Sequence, residues 1–280
     1  MPVYSHSRLS SFENCPLQYR YRYVDRIPRD VESIETFVGK RVHEVLEWLY
    51  RDLLEGRCPS LERLVARYHG TWETHFSERV RIVRTENSVA HYRRLGERCV
   101  VDYDRRYRPF DQGTTVGVEE RVSLCLDGAE RYRLRGYIDR LTRVAPGTYE
   151  IHDYKTSGSL PSERALRGDR QLSLYQMAVQ QRFPDARDVR LVWHYLVFDQ
   201  ELTSRRSPAD LEAHRVRTIR LIDTIEAARE FPPRESALCR WCEYRDICPT
   251  QAGRAVPGHA RPPAGRPDGA RRAAERRADG

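Results

Sequence analysis

The chemistry-bearing residues of this sequence sit on either side of one tight turn. The stretch Gly136-Tyr137-Ile138-Asp139-Arg140 is followed, across Pro146-Gly147, by Tyr149-Glu150-Ile151-His152-Asp153-Tyr154-Lys155. Both arms alternate apolar and polar residues around a turn-forming Pro-Gly pair, so the spacing predicts a β-hairpin. Strand side chains repeat every second residue, which sets Asp153 and Lys155 on one face and turns Tyr154 to the other. Asp139 on the first arm can join them. Two carboxylates and an ammonium at one spot suit a divalent cation. Hard oxygen ligands hold the ion, and a lysine beside it orients an attacking water or offsets charge developing on a phosphate. An isolated Asp-x-Lys triplet is more often a solvated ion pair of little energetic worth, so the rest of the chain must decide.

The elements that would hold this cluster follow from periodicity. Residues 36–54 place Val38, Val42, Val45, Leu46, Leu49 and Leu53 at intervals of three and four, an amphipathic helix with His43 and Glu47 one turn apart beside its apolar face. A strand over 113–126 precedes the hairpin and carries Glu119 and Glu120; neighbours on a strand face opposite ways, so only one can look towards Asp139. A helix over 169–183 sets Gln171 and Tyr175 one turn apart, facing a common neighbour. Residues 189–198 form a β-rich run with a pairing partner at 202–207, and a last helix spans 209–229. Residues 60–108 carry two further helical patterns, read as an insertion. A short helix bearing Leu9 and Phe12 opens the chain, and the aromatic-basic alternation of Leu17 to Val24 fits a strand, a helix or a nucleic-acid contact equally.

Composition narrows the class. The 280 residues suffice for one sizeable core with an elaboration. With 39% hydrophobic and 32% charged residues the chain reads as soluble and globular, and neither a secretion signal nor a membrane span is evident. A cytoplasmic location is expected. The net charge of +8 favours a polyanionic partner. No G-x-x-x-x-G-K-[ST] pattern occurs, so no motor is encoded.

Seven cysteines, an odd number, argue against a disulfide framework in a reducing compartment. Cys239-x-x-Cys242 and Cys248, followed by Pro249, offer three thiolates in one loop. A four-coordinate metal or cluster needs a fourth, and Cys15, itself followed by Pro16, is the best candidate. Cys58, Cys99 and Cys125 read as ordinary small residues. Spacing leaves zinc and an iron-sulfur cluster both open. A link from Cys15 to Cys239 would close nearly the whole chain into a loop, an entropic gain on the order of 4 kcal/mol by the cross-link relation. From Gln251 onward only Arg, Ala, Pro and Gly dominate, a basic tail expected to be disordered over 251–280.

Gly39-Lys40-Arg41-Val42-His43, Gly136-Tyr137-Ile138-Asp139-Arg140, Asp153-Tyr154-Lys155-Thr156 and Gln171-Leu172-Ser173-Leu174-Tyr175 occur in that order. Together they resemble the RecB-like branch of the PD-(D/E)XK nuclease superfamily. The flanking cysteines look like the iron-sulfur version found in AddB-type nuclease domains and in nucleases of CRISPR spacer acquisition. The resemblance covers about residues 4 to 250 and departs from the superfamily's name in having Ile138 before Asp139. It implies an α/β, restriction-endonuclease-like core, a mixed central sheet flanked by helices. One domain over 1–250 would include the helical insertion at 60–110 and a cysteine clamp at 236–250. It further implies that His43, Asp139, Asp153 and the Tyr154 carbonyl bind Mg or Mn. Asp139, Asp153 and Lys155 would catalyse, with Gln171 and Tyr175 completing the site and contacting DNA. Cys15, Cys239, Cys242 and Cys248 would hold a [4Fe-4S] cluster, with zinc as the lesser alternative. The implied activity is a DNA exonuclease of repair or recombination; the rival readings are a non-cleaving DNA-binding partner of a helicase and a zinc-stabilised interaction domain.

Overall fold

A computed structural model describes residues 2–252. In chain order the elements are α1 (His6–Asn14), α2 (Pro16–Tyr19), β1 (Glu32–Ser33), α3 (Ile34–Leu54), α4 (Leu61–His75), β2 (Val80–Arg81), α5 (Val89–Tyr107), β3 (Thr114–Cys125), β4 (Arg133–Ala145), β5 (Thr148–Lys155), α6 (Glu163–Arg167), α7 (Arg170–Arg182), β6 (Asp188–Tyr195), β7 (Gln200–Ser204) and α8 (Pro208–Ala227). The long helices begin where the sequence supplies a side-chain acceptor for an unpaired backbone N–H. Ser5, Ser33, Ser60, Ser88 and Ser207 cap α1, α3, α4, α5 and α8, and Asp169 caps α7. The ambiguous aromatic-basic stretch is α2 followed by a π-helical turn over Arg20–Val24.

The sheet runs in the order β3-β4-β5-β6-β7. Within this sheet only β5 and β6 pair parallel, joined by the crossover through α6 and α7, and the other neighbours are antiparallel; β1 and β2 form a separate parallel pair. The turn at Pro146-Gly147 is the expected hairpin, with Gly147 at a positive φ of 75° that a side chain would resist. Helices cover both faces, giving three layers. One core joins Leu9, Leu172, Val179 and Ile222 to Leu134, Ile138, Ile151, Leu191 and Trp193 of the sheet. The other joins Phe37, Val42, Leu46, Tyr68, Trp72 and Tyr103 to Val118 and Tyr154. The helices at 60–108 therefore share one apolar core with α3 and the sheet. Being central, β5 buries every residue from Tyr149 to Tyr154, polar ones included.

Two features shape the place where the site will lie. Pairing of β4 with β5 stops at Arg140↔His152, so Asp139 and Asp153 are the first positions beyond the last rung. Farther along, the vacated edge of β4 is met by Tyr4, which bridges Leu134 through two backbone hydrogen bonds with Arg133 and Arg135. Two glycines then let helices close in. A Cβ at Gly39 would stand 2.9 Å from the Thr156 hydroxyl, and one at Gly136 would stand 2.3 Å from the Tyr175 ring.

Of the tail, residues 253–280 lie outside the described residues, whereas Gln251 is buried and bonded to Glu235 and to the Cys248 carbonyl, so the folded part runs past 250. Gly136→Ala should displace Tyr175 and cost about 1–3 kcal/mol, the usual range for overpacking. Chemical denaturation of the two proteins measures it directly.

Candidate active site

Along β3 and β4 the register sets Val118 opposite Arg140 and Glu120 opposite Ile138, so Glu119 lies opposite Asp139. Glu119 adopts φ 48°, a left-handed conformation uncommon for a residue with a side chain. This irregularity decides between the two glutamates: Glu119 faces His43 and Asp139, while Glu120 pairs with Arg182 of α7. Donor atoms of His43, Glu119 and Asp139 all lie within 4.8 Å of one another.

His43 reaches this point because α3 crosses the end of β5. Its Nε2 donates to the Tyr154 carbonyl at 2.8 Å, since a carbonyl can only accept, and its Nδ1 stands 3.6 Å from Asp139 Oδ2. Asp139 Oδ2 in turn accepts the Tyr154 backbone N–H at 2.7 Å. The expected ligands His43, Asp139 and the Tyr154 carbonyl are thus adjacent. Two oxygens and an imidazole nitrogen in one cluster fit a divalent cation of the Mg or Mn kind, with the imidazole favouring tolerance of Mn.

Asp153 is not one of those three close donors. It lies one strand over, with Lys155 Nζ 2.6 Å from its Oδ2 and Gln171 Nε2 donating to its Oδ1 at 3.3 Å. Lys155 also donates to Gln171 Oε1 at 3.3 Å, and Gln171 Nε2 reaches the Tyr175 hydroxyl at 3.4 Å. The i, i+4 pair predicted on one helix therefore faces Asp153 and Lys155. All the expected site residues gather around the fork between β4 and β5.

Crowding of acids in a poorly solvated place shifts their protonation. Burial, with the Asp139 charge added, pushes Glu119 up to about 7. Burial also pushes Asp139 up to about 6, with His43 opposing and Asp153 reinforcing the shift. Asp153 is raised by burial against the pull of Lys155. Burial disfavours the Lys155 ammonium, yet the Asp153 carboxylate outweighs it and holds the lysine above its usual value.

The four cysteines at the rim, Cys15, Cys239, Cys242 and Cys248, line one cavity of about 220 Å³. Independently of any cofactor, polar contacts join the two chain ends there. Glu243 takes Gln18 Nε2 and Arg22 Nε, both at 2.9 Å, and the Tyr244 hydroxyl donates to the Ile27 carbonyl at 3.0 Å. Cys58 and Cys125 lie elsewhere, against Arg108 and Asp127, and Cys99 is buried.

A match to the PD-(D/E)XK nuclease superfamily spans residues 3–249. The chain belongs to that superfamily. Its fold is also that of a protein from Eubacterium rectale provisionally called an exonuclease. The two align with a TM-score of 0.52 at 12% identity over 94% of this chain and 91% of the other. A second structure, SSO0001, aligns with a TM-score of 0.43 at 14% identity over 87% of this chain and 85% of its own. No curated protein matches. The mixed sheet flanked by helices is the restriction-endonuclease-like core expected of this superfamily, and the chain is a nuclease. No described helix is long and apolar enough to cross a membrane.

For this nuclease the raised carboxyls have a definite consequence. A carboxyl whose folded pKa exceeds its unfolded value contributes stability that is fully present below the unfolded pKa and lost as pH rises through the folded one. For Asp139 and Glu119 that window runs from the ordinary values of 3.8 and 4.5 to about 6 and 7. In chelator, Glu119→Gln should therefore raise the melting temperature at pH 8 and lose that advantage near pH 4. Divalent metal should stabilise the wild type at pH 8 more than the variant. Thermal melts across pH, with and without Mn, read both effects.

Proposed function

We propose that this nuclease is a metal-dependent DNA exonuclease of RecB type, hydrolysing phosphodiester bonds in single strands or at ends during repair or recombination. One observation carries the reading: Asp139 and Asp153 stand side by side just past the last β4–β5 rung, with His43 and Glu119 beside Asp139 and Lys155 beside Asp153. A pure binder of a polyanion gains nothing from gathering three carboxylates against it.

His43, Glu119 and Asp139, with the Tyr154 carbonyl, would hold Mg or Mn, and Asp153 would complete the site. The ion supplies Lewis-acid polarisation and water activation, the largest share of a barrier reduction well above ~10 kcal/mol. Lys155, kept protonated by Asp153, offers N–H donors and positive charge to the phosphate as negative charge builds. It is an electrostatic stabiliser, and at neutral pH it has no lone pair with which to act as a base. Gln171 ties Lys155 to Asp153 and Tyr175, fixing where the ammonium points. Free arginines elsewhere follow the phosphate backbone without reading sequence.

The same reading gives Cys15, Cys239, Cys242 and Cys248 a [4Fe-4S] cluster. Support comes from their shared cavity and from backbone N–H groups of Arg234 and Ser236, each 3.4 Å from Cys15 Sγ and Cys239 Sγ respectively. Among the described residues the one compact donor group is His43, Glu119 and Asp139, so the choice of a cluster over zinc rests on the resemblance of the four-cysteine pattern alone.

Asp153→Ala or Lys155→Ala should lower cleavage of end-labelled DNA in Mg or Mn by at least about a hundredfold while leaving DNA binding nearly intact, and chelator should stop the wild type. Cleavage at the original rate by either variant would refute the site. Binding by a wild type that never cuts would favour a helicase-partnering binder. Anaerobically purified protein should be brown with broad visible absorption that Cys239→Ser loses; colourless, zinc-loaded protein would refute the cluster and favour the interaction domain.

A further inference from the structure

On the β3–β4 ribbon, exposed positions alternate with buried ones: Leu134 and Ile138 are buried while Arg135 and Tyr137 face solvent, and on β3 Val122 and Leu124 are buried while Arg121 and Ser123 face solvent. The register pairs Arg121 with Tyr137 and Ser123 with Arg135, so the four form one open patch. Tyr137 is 51% exposed, and Asp139, two residues on, belongs to the same strand face. Large aromatic rings are normally half-buried or anchored by their hydroxyl. Here, among the described residues, the Tyr137 side chain meets no other ring, guanidinium or hydrogen-bond partner, and the Arg121 and Arg135 guanidinium groups make no ion pair. Elsewhere on the surface arginines are commonly paired, as Arg22, Arg131, Arg182 and Arg205 are.

We infer that Tyr137 is a stacking platform for an unpaired base of a single-stranded DNA substrate, with Arg121 and Arg135 taking the neighbouring phosphates. This rests on the nuclease reading above and names the substrate form it prefers. An open ring between two uncompensated cations is the combination that holds single strands without reading sequence, because every base offers a π-face once it is unpaired. A base inside a duplex has both faces covered by its neighbours and cannot use it. Along the strand, Tyr137 stands about 7 Å from Asp139, roughly two base rises at about 3.4 Å each. The base it meets therefore lies one or two nucleotides from the phosphodiester at the acidic cluster. The opposite side of the same stretch is closed by Tyr175 packed on Gly136, which fixes β4 beneath the platform.

The experiment measures binding in chelator, where nothing is cut, by fluorescence anisotropy of a short labelled oligodeoxythymidine and of the same strand with abasic sugars throughout. Tyr137→Ala should weaken binding of the base-bearing strand by about 5-fold to 150-fold and leave the abasic strand unaffected, while Tyr137→Phe should bind as the wild type does. Tyr137→Thr, which keeps strand propensity, replaces the alanine variant if that fails to fold. Arg121→Gln should lower the slope of log affinity against log salt by about 0.7. Equal losses on both strands, no loss on either, or a wild type that does not bind the strand would overturn the platform. Wild-type cleavage in Mn is scored separately: cutting without a Tyr137 effect overturns the platform alone, and a Tyr137 effect without cutting overturns the nuclease reading alone.

Discussion

The site depends on the early end of one hydrogen-bond ladder. Past Arg140↔His152 the backbone of β5 loses β4 as a partner, and a buried N–H left unmet there would cost as much as a lost hydrogen bond. Asp139 meets that need by accepting the Tyr154 N–H, and His43 meets the matching need of the Tyr154 carbonyl. Two of the groups suited to a metal thus also close the fork through which it would be reached. Their geometry is set by the backbone they satisfy, so they are held in place before any ligand arrives.

Behind the fork, on the face covered by α3 and α5, a buried polar network holds the same strands. Arg140 follows Asp139 and His152 precedes Asp153, and these two inner residues bond to each other at 3.0 Å. Arg140 also bonds Thr142 at 3.0 Å and the Tyr154 hydroxyl at 3.2 Å, and lies over the Tyr50 ring at 4.3 Å. Its charge is thus met by hydroxyls, an imidazole and an aromatic face, with no carboxylate among its hydrogen-bond partners. Burial, with Arg140 beside it, holds His152 well below the ordinary histidine value, so the ring stays neutral and can accept from Arg140. The chain continues through His194 to Tyr107. A buried network of this kind fixes direction as well as position, which suits strands that must hold Asp139 and Asp153 at the fork.

Much of this was legible in single residues. The Pro146-Gly147 turn, the face shared by Asp153 and Lys155, the helix bearing His43 and the i, i+4 spacing of Gln171 and Tyr175 are local properties, and each was read from short-range periodicity. The choice between Glu119 and Glu120 was not, because it turns on a left-handed residue inside a strand, which alternation assumes away. The aromatic-basic run after Pro16 was equally mute: a π-helical turn has no distinct sequence period, and packing alone selects it. On β5 alternation separates two faces without saying that both are covered, and helices on both sides of this central strand bury Glu150, His152 and Asp153 alike. The close fit of Gly136 to Tyr175 joins residues far apart in the chain, so neither motif announces the other.

The sequence by itself determined which residue types are present and which neighbours share a face, since backbone geometry repeats every two residues in strands and every three to four in helices. Only the tertiary structure decided which faces meet. It ended the β4–β5 ladder one residue short of the aspartates, brought Glu119 in and turned Glu120 away, and left Tyr137 open beside them. These outcomes depend on sheet register and on helices docking against glycines, and both arise from contacts between distant segments that no local pattern encodes.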